Sequence, residues 1–176
     1  MADQKDPRIC VIMSTYFRKN GTTKSLLSRA LRNLEAQTYK NFKLFLIGDH
    51  YDNNNEFEEL CKSYKSDIYY KNNEQHYRCY NFPDRNTYWS IGGVLALKTG
   101  IEKAMEEKYD YYFHLDDDDE WTDFHIKIVV DHIKHFPLSD FILTKSKYKN
   151  TFLPRTDEKN TFYNKLIKII FTPLLC

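Results

Sequence analysis

The sequence predicts an α/β protein with a mostly parallel sheet and helices on both of its faces. Short runs rich in β-branched and aromatic residues alternate with amphipathic segments of helical period. The predicted order is β-α-β-α-β-loop-α-β-α-β, and strands that alternate with helices pair in parallel. The 176 residues are enough for one ordinary domain with a core of its own, so a single domain over 1–176 is expected.

The predicted strands are short and mostly apolar, as buried strands of a parallel sheet are. They cover residues 8–17, 42–50, 67–71, 109–115 and 140–148. Four helices lie between them. The first places Leu27, Ala30, Leu31 and Leu34 on one face, and the others cover 56–64, roughly 89–108 and 123–136. In the third helix, the apolar face is expected to contain Val94, Leu97, Ile101 and Ala104. The polar, aperiodic stretch 71–88 is predicted to be a loop, and a loop of that length is usually functional or disordered.

Composition excludes several classes of protein. The net charge is only +1, so a nucleic-acid or anionic-membrane partner is not expected. No apolar run reaches the roughly 20 residues of a membrane span, and the N-terminus lacks the apolar core of a signal peptide. The four cysteines form no C-x-x-C pair, which argues against a zinc framework. A soluble protein of the cytoplasm is therefore expected.

Polar residues follow three of the predicted strands directly. Ligands of open parallel sheets bind outside the carboxyl ends of the strands, so these residues mark one edge as the expected site. They are Thr15, Tyr16 and Arg18 after the first strand, Asp49 and His50 after the second, and Asp116 to Glu120 after the fourth.

The most distinctive of these exits is the acidic run in YYFHLDDDDEW, residues 111–121. Side chains of a strand alternate, so Asp116 and Asp118 should point one way, and Asp117 and Asp119 the other. Neighbouring carboxylates repel one another unless a cation lies between them. Mg²⁺ and Mn²⁺ bind through one or two carboxylates together with phosphate oxygens, which predicts a metal–diphosphate site at Asp116 and Asp118. The alternative is a solvated acidic turn before the next helix, where acids are also favourable.

Three segments resemble family 2 glycosyltransferases of the GT-A fold. VIMSTYFRKN resembles the first strand of that family, and FKLFLIGDHYDN resembles the second, which usually ends in D-D-G-S-x-D. GIEKAMEEKYDYYFHLDDDDEW resembles the block G-I-x-x-A-x-G-x-Y-I-x-F-L-D-x-D-D. The resemblance covers about residues 8–122. The chain departs from it at Ser14, where Pro is usual, at Gly48, which replaces an acid, and at Leu97, where Arg is usual.

The resemblance implies a set of nucleotide-sugar-binding residues. Thr15 and Tyr16 would line the nucleoside pocket, and Asp49 would accept a hydrogen bond from the uracil imide. Asp116 would contact ribose or metal, Asp118 would bind Mn²⁺ or Mg²⁺, and Trp121 would pack at the edge of the site. Arg18 and Asp117 complete the expected nucleotide-sugar-binding set.

The activity implied is transfer of a sugar from a nucleotide sugar, with UDP expected, to a hydroxyl of a glycan, protein or lipid. Inversion at the sugar is expected, and it requires a general base for the acceptor hydroxyl. Asp157 and Glu158 are the candidates, in a short acceptor-side region, 123–176, that follows the nucleotide-sugar half. Either the enzyme is compact or the acceptor half has been cut away. The alternatives are a nucleotidyltransferase and a donor-binding domain without turnover of its own.

Overall fold

The computed structural model describes residues 6–75 and 91–138, together with residues 142, 144, 146–148 and 151–153. The chain forms two compact units, Met1–Asp131 and His132–Cys176. The first unit contains a four-stranded sheet, and the second contains a two-stranded antiparallel hairpin.

The sheet consists of β1 (Ile9–Thr15), β2 (Phe42–Gly48), β3 (Ile68–Asn72) and β4 (Tyr111–His114), in the order β3-β2-β1-β4. All three strand pairings are parallel, as predicted. β1 lies in the interior of the sheet and is buried along almost its whole length, which explains its continuous apolar sequence. Because the pairing is in register from Ile9 onward, the carboxyl ends of β1, β2 and β4 lie at the same edge.

Four helices are described: α1 (Thr23–Ala36), α2 (Asn54–Lys62), α3 (Val94–Glu106) and α4 (His125–His135). Each corresponds to a helix predicted from the sequence. Within the described residues, no helix has both the length and the apolar character to span a membrane.

Two predicted boundaries change. The strand predicted at 140–148 is seen as β5 (Ser146–Tyr148), which pairs with β6 (Thr151–Leu153) in an antiparallel hairpin and does not extend the parallel sheet. The predicted loop at 71–88 begins later, because Lys71 and Asn72 belong to β3. Residues 76–88 of that loop lie outside the described residues.

The core has two layers, one on each face of the sheet. On one face, alternate residues of β1 such as Val11 and Met13 pack in a cluster with Leu27 and Leu34 of α1. On the other face, Cys10, Ile12 and Phe45 form a second cluster, and Ala104 of α3 belongs to it. The α/β architecture with helices on both faces is therefore confirmed.

The face that α3 turns to the sheet contains most of the predicted residues, because Ala104 is buried and Leu97 and Ile101 pack against the second cluster. Val94 is 42% exposed, and the buried residues of the helix are Ala96, Gly100 and Ala104. These small residues repeat every four positions, so they form one stripe along the helix. Of the four residues predicted for this face, Val94 is the one that lies off it, and the prediction did not include Ala96 and Gly100. Here the small size of the side chains permits close approach of helix and sheet.

Gly100 is the tightest point of that contact. A Cβ at this position would lie 2.5 Å from Cγ2 of Ile12, in the buried interior of the sheet. Overpacking of this kind lowers stability by about 1–3 kcal/mol. The better helix propensity of Ala offsets only about 1 kcal/mol of this loss. We expect Gly100→Ala to lower the free energy of unfolding by up to about 2 kcal/mol in urea denaturation. Met105→Ala, on the exposed side of the same helix, is the control, and equal stability of the two variants would contradict the close packing.

Candidate functional site

The three polar strand exits predicted from the sequence do meet at one edge of the sheet. The backbone N–H of Asp49 donates to the carbonyl oxygen of Thr15 at 2.7 Å, which joins the ends of β2 and β1. The Thr15 hydroxyl donates to Oδ2 of Asp117 at 2.6 Å, which joins the end of β1 to the acidic run after β4. Side chains from these three segments therefore share one site.

Asp117 is the centre of a buried polar network. Its carboxylate accepts two parallel hydrogen bonds from Arg18, at 2.7 Å from Nη1 and 2.6 Å from Nη2. Because the Thr15 hydroxyl donates its proton to Asp117, the hydroxyl of Tyr51, 2.7 Å from Thr15 Oγ1, must be the donor in that contact. Burial raises the pKa of Tyr51, which keeps this phenol protonated at neutral pH. The network therefore surrounds the side chain of Asp117 with three donors, the Thr15 hydroxyl and two N–H groups of Arg18.

Arg18 contacts Asp117 and Tyr16 and is largely buried. Its guanidinium lies over the ring of Tyr16, 4.2 Å from the ring centroid, and its side chain is only 10% exposed. The hydrogen bonds to Asp117 raise the pKa of Arg18 above its already high value, so its charge is permanent. Arg18 and Asp117 are predicted from the sequence to bind the nucleotide sugar, and in the structure their charged groups are paired with each other.

The two neighbours of Asp117 point outward. The side chains of Asp116 and Asp118 are 57% and 52% exposed, while that of Asp117 is 5% exposed. The predicted alternation therefore holds from Asp116 to Asp118. It ends in a turn, in which the backbone N–H of Asp119 donates to the carbonyl oxygen of Asp116 at 3.1 Å. Both outer carboxylates remain more than half exposed, although Nη2 of Arg18, which is paired with Asp117, also lies 3.5 Å from Oδ2 of Asp118.

The pKa of Asp119 is affected by the other carboxylates of this turn. Its pKa is raised, first by burial and then by the charges of Asp116 and Asp118. A cation bound between these carboxylates would relieve that repulsion. The donor set of exposed aspartate oxygens also suits Mg²⁺ or Mn²⁺, both of which prefer oxygen ligands.

A complete metal cage is not formed by protein groups alone. In the part of the chain that the structure describes, no cluster of three or more His, Cys, Asp or Glu side chains could hold a metal ion. Mg²⁺ sites commonly use one or two carboxylates and take their remaining ligands from water and substrate phosphates. Asp116 and Asp118 therefore fit a cation that is shared with a phosphate ligand.

Asp49, after β2, lies beside the start of α3. It is 4% exposed, and its Oδ2 accepts a hydrogen bond from the backbone N–H of Gly93 at 3.2 Å. Gly93 has a left-handed backbone with φ of +75°, and a Cβ there would lie 2.8 Å from the Ser14 hydroxyl. Sequence reasoning missed this role of Gly93, although the pair Gly92-Gly93 before the helix was a signal for it. Ser14 stands where the family usually has Pro, next to this close approach.

Sequence reasoning also missed a row of polar residues along α1 and its C-terminal cap. Arg29, Asn33 and Gln37 are spaced by four and contact the segment 118–126, which follows the exposed aspartates. The sequence shows the spacing of these three residues beside the apolar face of the helix, but it does not predict which backbone groups they contact. Trp121, in the contacted segment, packs against Phe113 and stacks on His125 at 4.5 Å between ring centroids. The candidate bases Asp157 and Glu158 lie outside the described residues.

Comparison with known proteins agrees with this geometry. The family described as Glycosyl transferase family 2 matches residues 10–174. The chain belongs to glycosyltransferase family 2. This family 2 glycosyltransferase is 32% identical over 166 residues to the protein named "Uncharacterized glycosyltransferase R139" of Acanthamoeba polyphaga mimivirus. The match covers 91% of the present chain and 67% of the relative.

Solved structures of S. aureus TarS share the fold. TarS 1-349 matches with a TM-score of 0.53 at 14% identity, over 73% of this chain and 32% of that one. The structure of TarS 1-349 in complex with UDP-GlcNAc matches with a TM-score of 0.52 at 14% identity, over 73% of this chain and 31% of that one. The family 2 glycosyltransferase thus spans about a third of the TarS chains that it resembles. The family and the GT-A fold expected from the three motifs are confirmed.

Proposed function

We propose that this family 2 glycosyltransferase transfers a sugar from a UDP-sugar to an acceptor hydroxyl, and that it requires Mn²⁺ or Mg²⁺. The observation that carries the proposal is the outward pair Asp116 and Asp118 on either side of the buried, Arg18-paired Asp117. One of the three acids supports the turn, and the other two are more than half exposed, with Asp118 also 3.5 Å from Nη2 of Arg18. Membership of the family favours glycosyl transfer over the nucleotidyl transfer left open by the sequence.

In this proposal, Asp116 and Asp118 hold the cation together with the diphosphate of the donor. When bound, the cation supplies positive charge that neutralises the departing nucleoside diphosphate. Thr15 and Arg18 contribute indirectly. They fix the carboxylate of Asp117 and thereby the backbone between the two outward side chains. Tyr16, which lies under the guanidinium of Arg18, belongs to the wall of the proposed nucleoside pocket.

Asp49 is proposed to read the base. A carboxylate at this position can accept the N–H of a uracil ring, while the Gly93 N–H fixes its orientation. S. aureus TarS 1-349, which shares the fold, has been solved in complex with UDP, and this supports a uridine nucleotide here. The acceptor hydroxyl is proposed to attack the anomeric carbon on the face opposite the leaving UDP, which inverts that centre. Asp157 and Glu158 remain the proposed general bases for this step.

The reading of uracil by Asp49 predicts a nucleotide preference. Cytosine has no ring N–H at the corresponding position, so CDP would leave the carboxylate without that donor, at a cost of about 1–3 kcal/mol. We expect UDP to bind at least about tenfold more tightly than CDP, and we expect Asp49→Asn to remove most of this preference. Competition binding of the two nucleotides to both proteins measures it. Equal discrimination by wild type and Asp49→Asn would show that Asp49 does not read the base.

Product analysis tests the reaction itself. The protein is incubated with Mn²⁺, a panel of UDP-sugars and candidate glycan, protein and lipid acceptors, and the nucleotide products are separated. Free UDP together with a glycosylated acceptor is the expected result, whereas release of pyrophosphate in a parallel incubation with UTP and sugar 1-phosphates would identify a nucleotidyltransferase. Tight binding of UDP-sugar with no product in any pairing would identify a donor-binding domain without turnover.

A further inference from the structure

The segment that follows the exposed aspartates is held by side chains of α1, not by strand pairing. Asn33 contacts both backbone groups of Trp121: its Oδ1 accepts from the N–H at 2.8 Å, and its Nδ2 donates to the carbonyl at 2.6 Å. One amide side chain thus satisfies a backbone donor and a backbone acceptor of the same residue, as a neighbouring strand would.

Gln37 repeats this arrangement one turn later, at the C-terminal cap of α1. It is fully buried, its Nε2 donates to the Thr122 carbonyl at 2.9 Å, and its Oε1 accepts from the Ile126 N–H at 3.2 Å. The second bond satisfies one of the N–H groups that every helix start leaves without a partner. Gln37 thereby ties the beginning of α4 to the end of α1.

Arg29 extends the row to the acidic turn itself. Its Nη2 donates to the backbone carbonyl of Asp118 at 2.6 Å, and its Nε lies 2.5 Å from the Glu120 carboxylate. The contact at Asp118 is to the main chain, so it leaves the carboxylate of that residue facing outward. The row therefore reaches from Asp118 to Ile126 in steps of one helical turn.

We propose that Asn33, together with Arg29 and Gln37, positions the turn that contains Asp116 and Asp118 for a divalent cation. This inference rests on the proposed function, because it concerns the cation of that site. Beyond β4 the directions of the two carboxylates depend on the backbone torsions of a turn, which Thr15 and Arg18 hold at Asp117 but which needs further contacts at its far end. Asn33 fixes the chain three residues beyond Asp118, and Arg29 fixes the Asp118 carbonyl. The aspartates are thereby held ready for a cation whose ligand distances allow little variation.

The test measures the affinity for Mn²⁺ in the presence of UDP by calorimetry. Loss of residues that orient metal ligands usually costs about 10–100-fold in metal affinity, and we expect Asn33→Ala to fall in that range. UDP binding without Mn²⁺ should stay unchanged. Ser25→Ala, an uncharged change at an exposed position of α1 whose hydroxyl bonds to Thr22 at the N-cap of the same helix, is the matched control and should bind Mn²⁺ as wild type does.

Two further variants separate positioning from general stability and from charge. Ile9→Val trims a buried side chain at the amino end of β1, away from the site, and shows the effect of a lowered melting temperature alone. Arg29→Gln removes a positive charge, which by itself would strengthen cation binding, and also removes the hold on the Asp118 carbonyl. Weaker Mn²⁺ binding in Arg29→Gln therefore supports positioning.

The outcomes are distinguishable. If wild type binds UDP in a Mn²⁺-dependent manner and Asn33→Ala binds Mn²⁺ equally well, the inference is overturned and the proposed function stands. The same holds if Ile9→Val weakens Mn²⁺ binding as much as Asn33→Ala does at a similar melting temperature. If wild type shows no Mn²⁺-dependent binding of UDP, the proposed function is overturned and the inference with it.

Discussion

Replacement of Asp118 by Asn should abolish the Mn²⁺-dependent binding of UDP. The substitution keeps the size of the side chain but removes the negative charge of an outward carboxylate that lies next to Asp116 in the turn. A divalent cation held by two protein carboxylates loses half of the negative charge that the protein supplies to it, because the amide oxygen of Asn is a neutral and weaker ligand. We expect calorimetry to show an affinity for UDP that no longer changes when Mn²⁺ is added.

Asp123→Asn is the control for this experiment. Asp123 is an exposed acid of the same segment, and its backbone carbonyl, not its side chain, accepts the hydrogen bond from the Thr38 N–H. The control removes an equal charge near the site but no proposed ligand. An Asp118→Asn variant that keeps the Mn²⁺ dependence of wild type would refute the assignment of the metal site.

Loss of Arg18 should be the most destabilising single change at this edge of the sheet. The side chains of Arg18 and Asp117 are only 10% and 5% exposed, and the pair is bidentate. Removal of one partner of a buried ion pair leaves an uncompensated charge and costs about 3–5 kcal/mol. We expect Arg18→Met, which keeps the aliphatic stem, to lower the free energy of unfolding by about this amount in urea denaturation.

The double variant Arg18→Met/Asp117→Asn shows whether the cost comes from the unpaired carboxylate. A neutral amide beside Thr15 carries no uncompensated charge, so the double variant should regain a large part of the stability lost in Arg18→Met. If the double variant loses as much as the two single changes added together, the two residues do not act as a pair. In that case the buried network around Asp117 would be incorrectly described.

The outward and inward aspartates were predictable, whereas their supporting contacts were not. The apolar run before Asp116 identified a strand, and the alternation of a strand assigned Asp116 and Asp118 to one side without further information. The bond between Arg18 and Asp117 joins residues 99 positions apart, and nothing in either local sequence selects this partner from other acids in the run. The contacts of Asn33 at Trp121 depend in the same way on where α1 packs, which only the folded chain determines.

The error at α3 has a different physical origin. Hydrophobic periodicity correctly predicted a helix there, and it ranked Val94 above Gly100 because Val has more apolar surface. In the structure, packing distance decides the matter, since Ile12 of β1 occupies the volume that a side chain at position 100 would need. Leu97, Ile101 and Ala104 were therefore predicted correctly, whereas Ala96 and Gly100 have too little apolar surface for hydrophobic periodicity to select them.

The pairing of β1 with β4 also determines when during folding a ligand site can exist. Thr15 and Asp117 are separated by 102 positions, and Asn33 and Trp121 by 88, so every bond between them closes a long loop of chain. Contacts of such separation form late and slow folding relative to local ones. A chain emerging during synthesis can complete β1, α1 and β2 but has no acidic turn until its second hundred residues begin to appear. Nucleotide binding would thus begin only after β4 has paired with β1, and not when the individual strands and helices have formed.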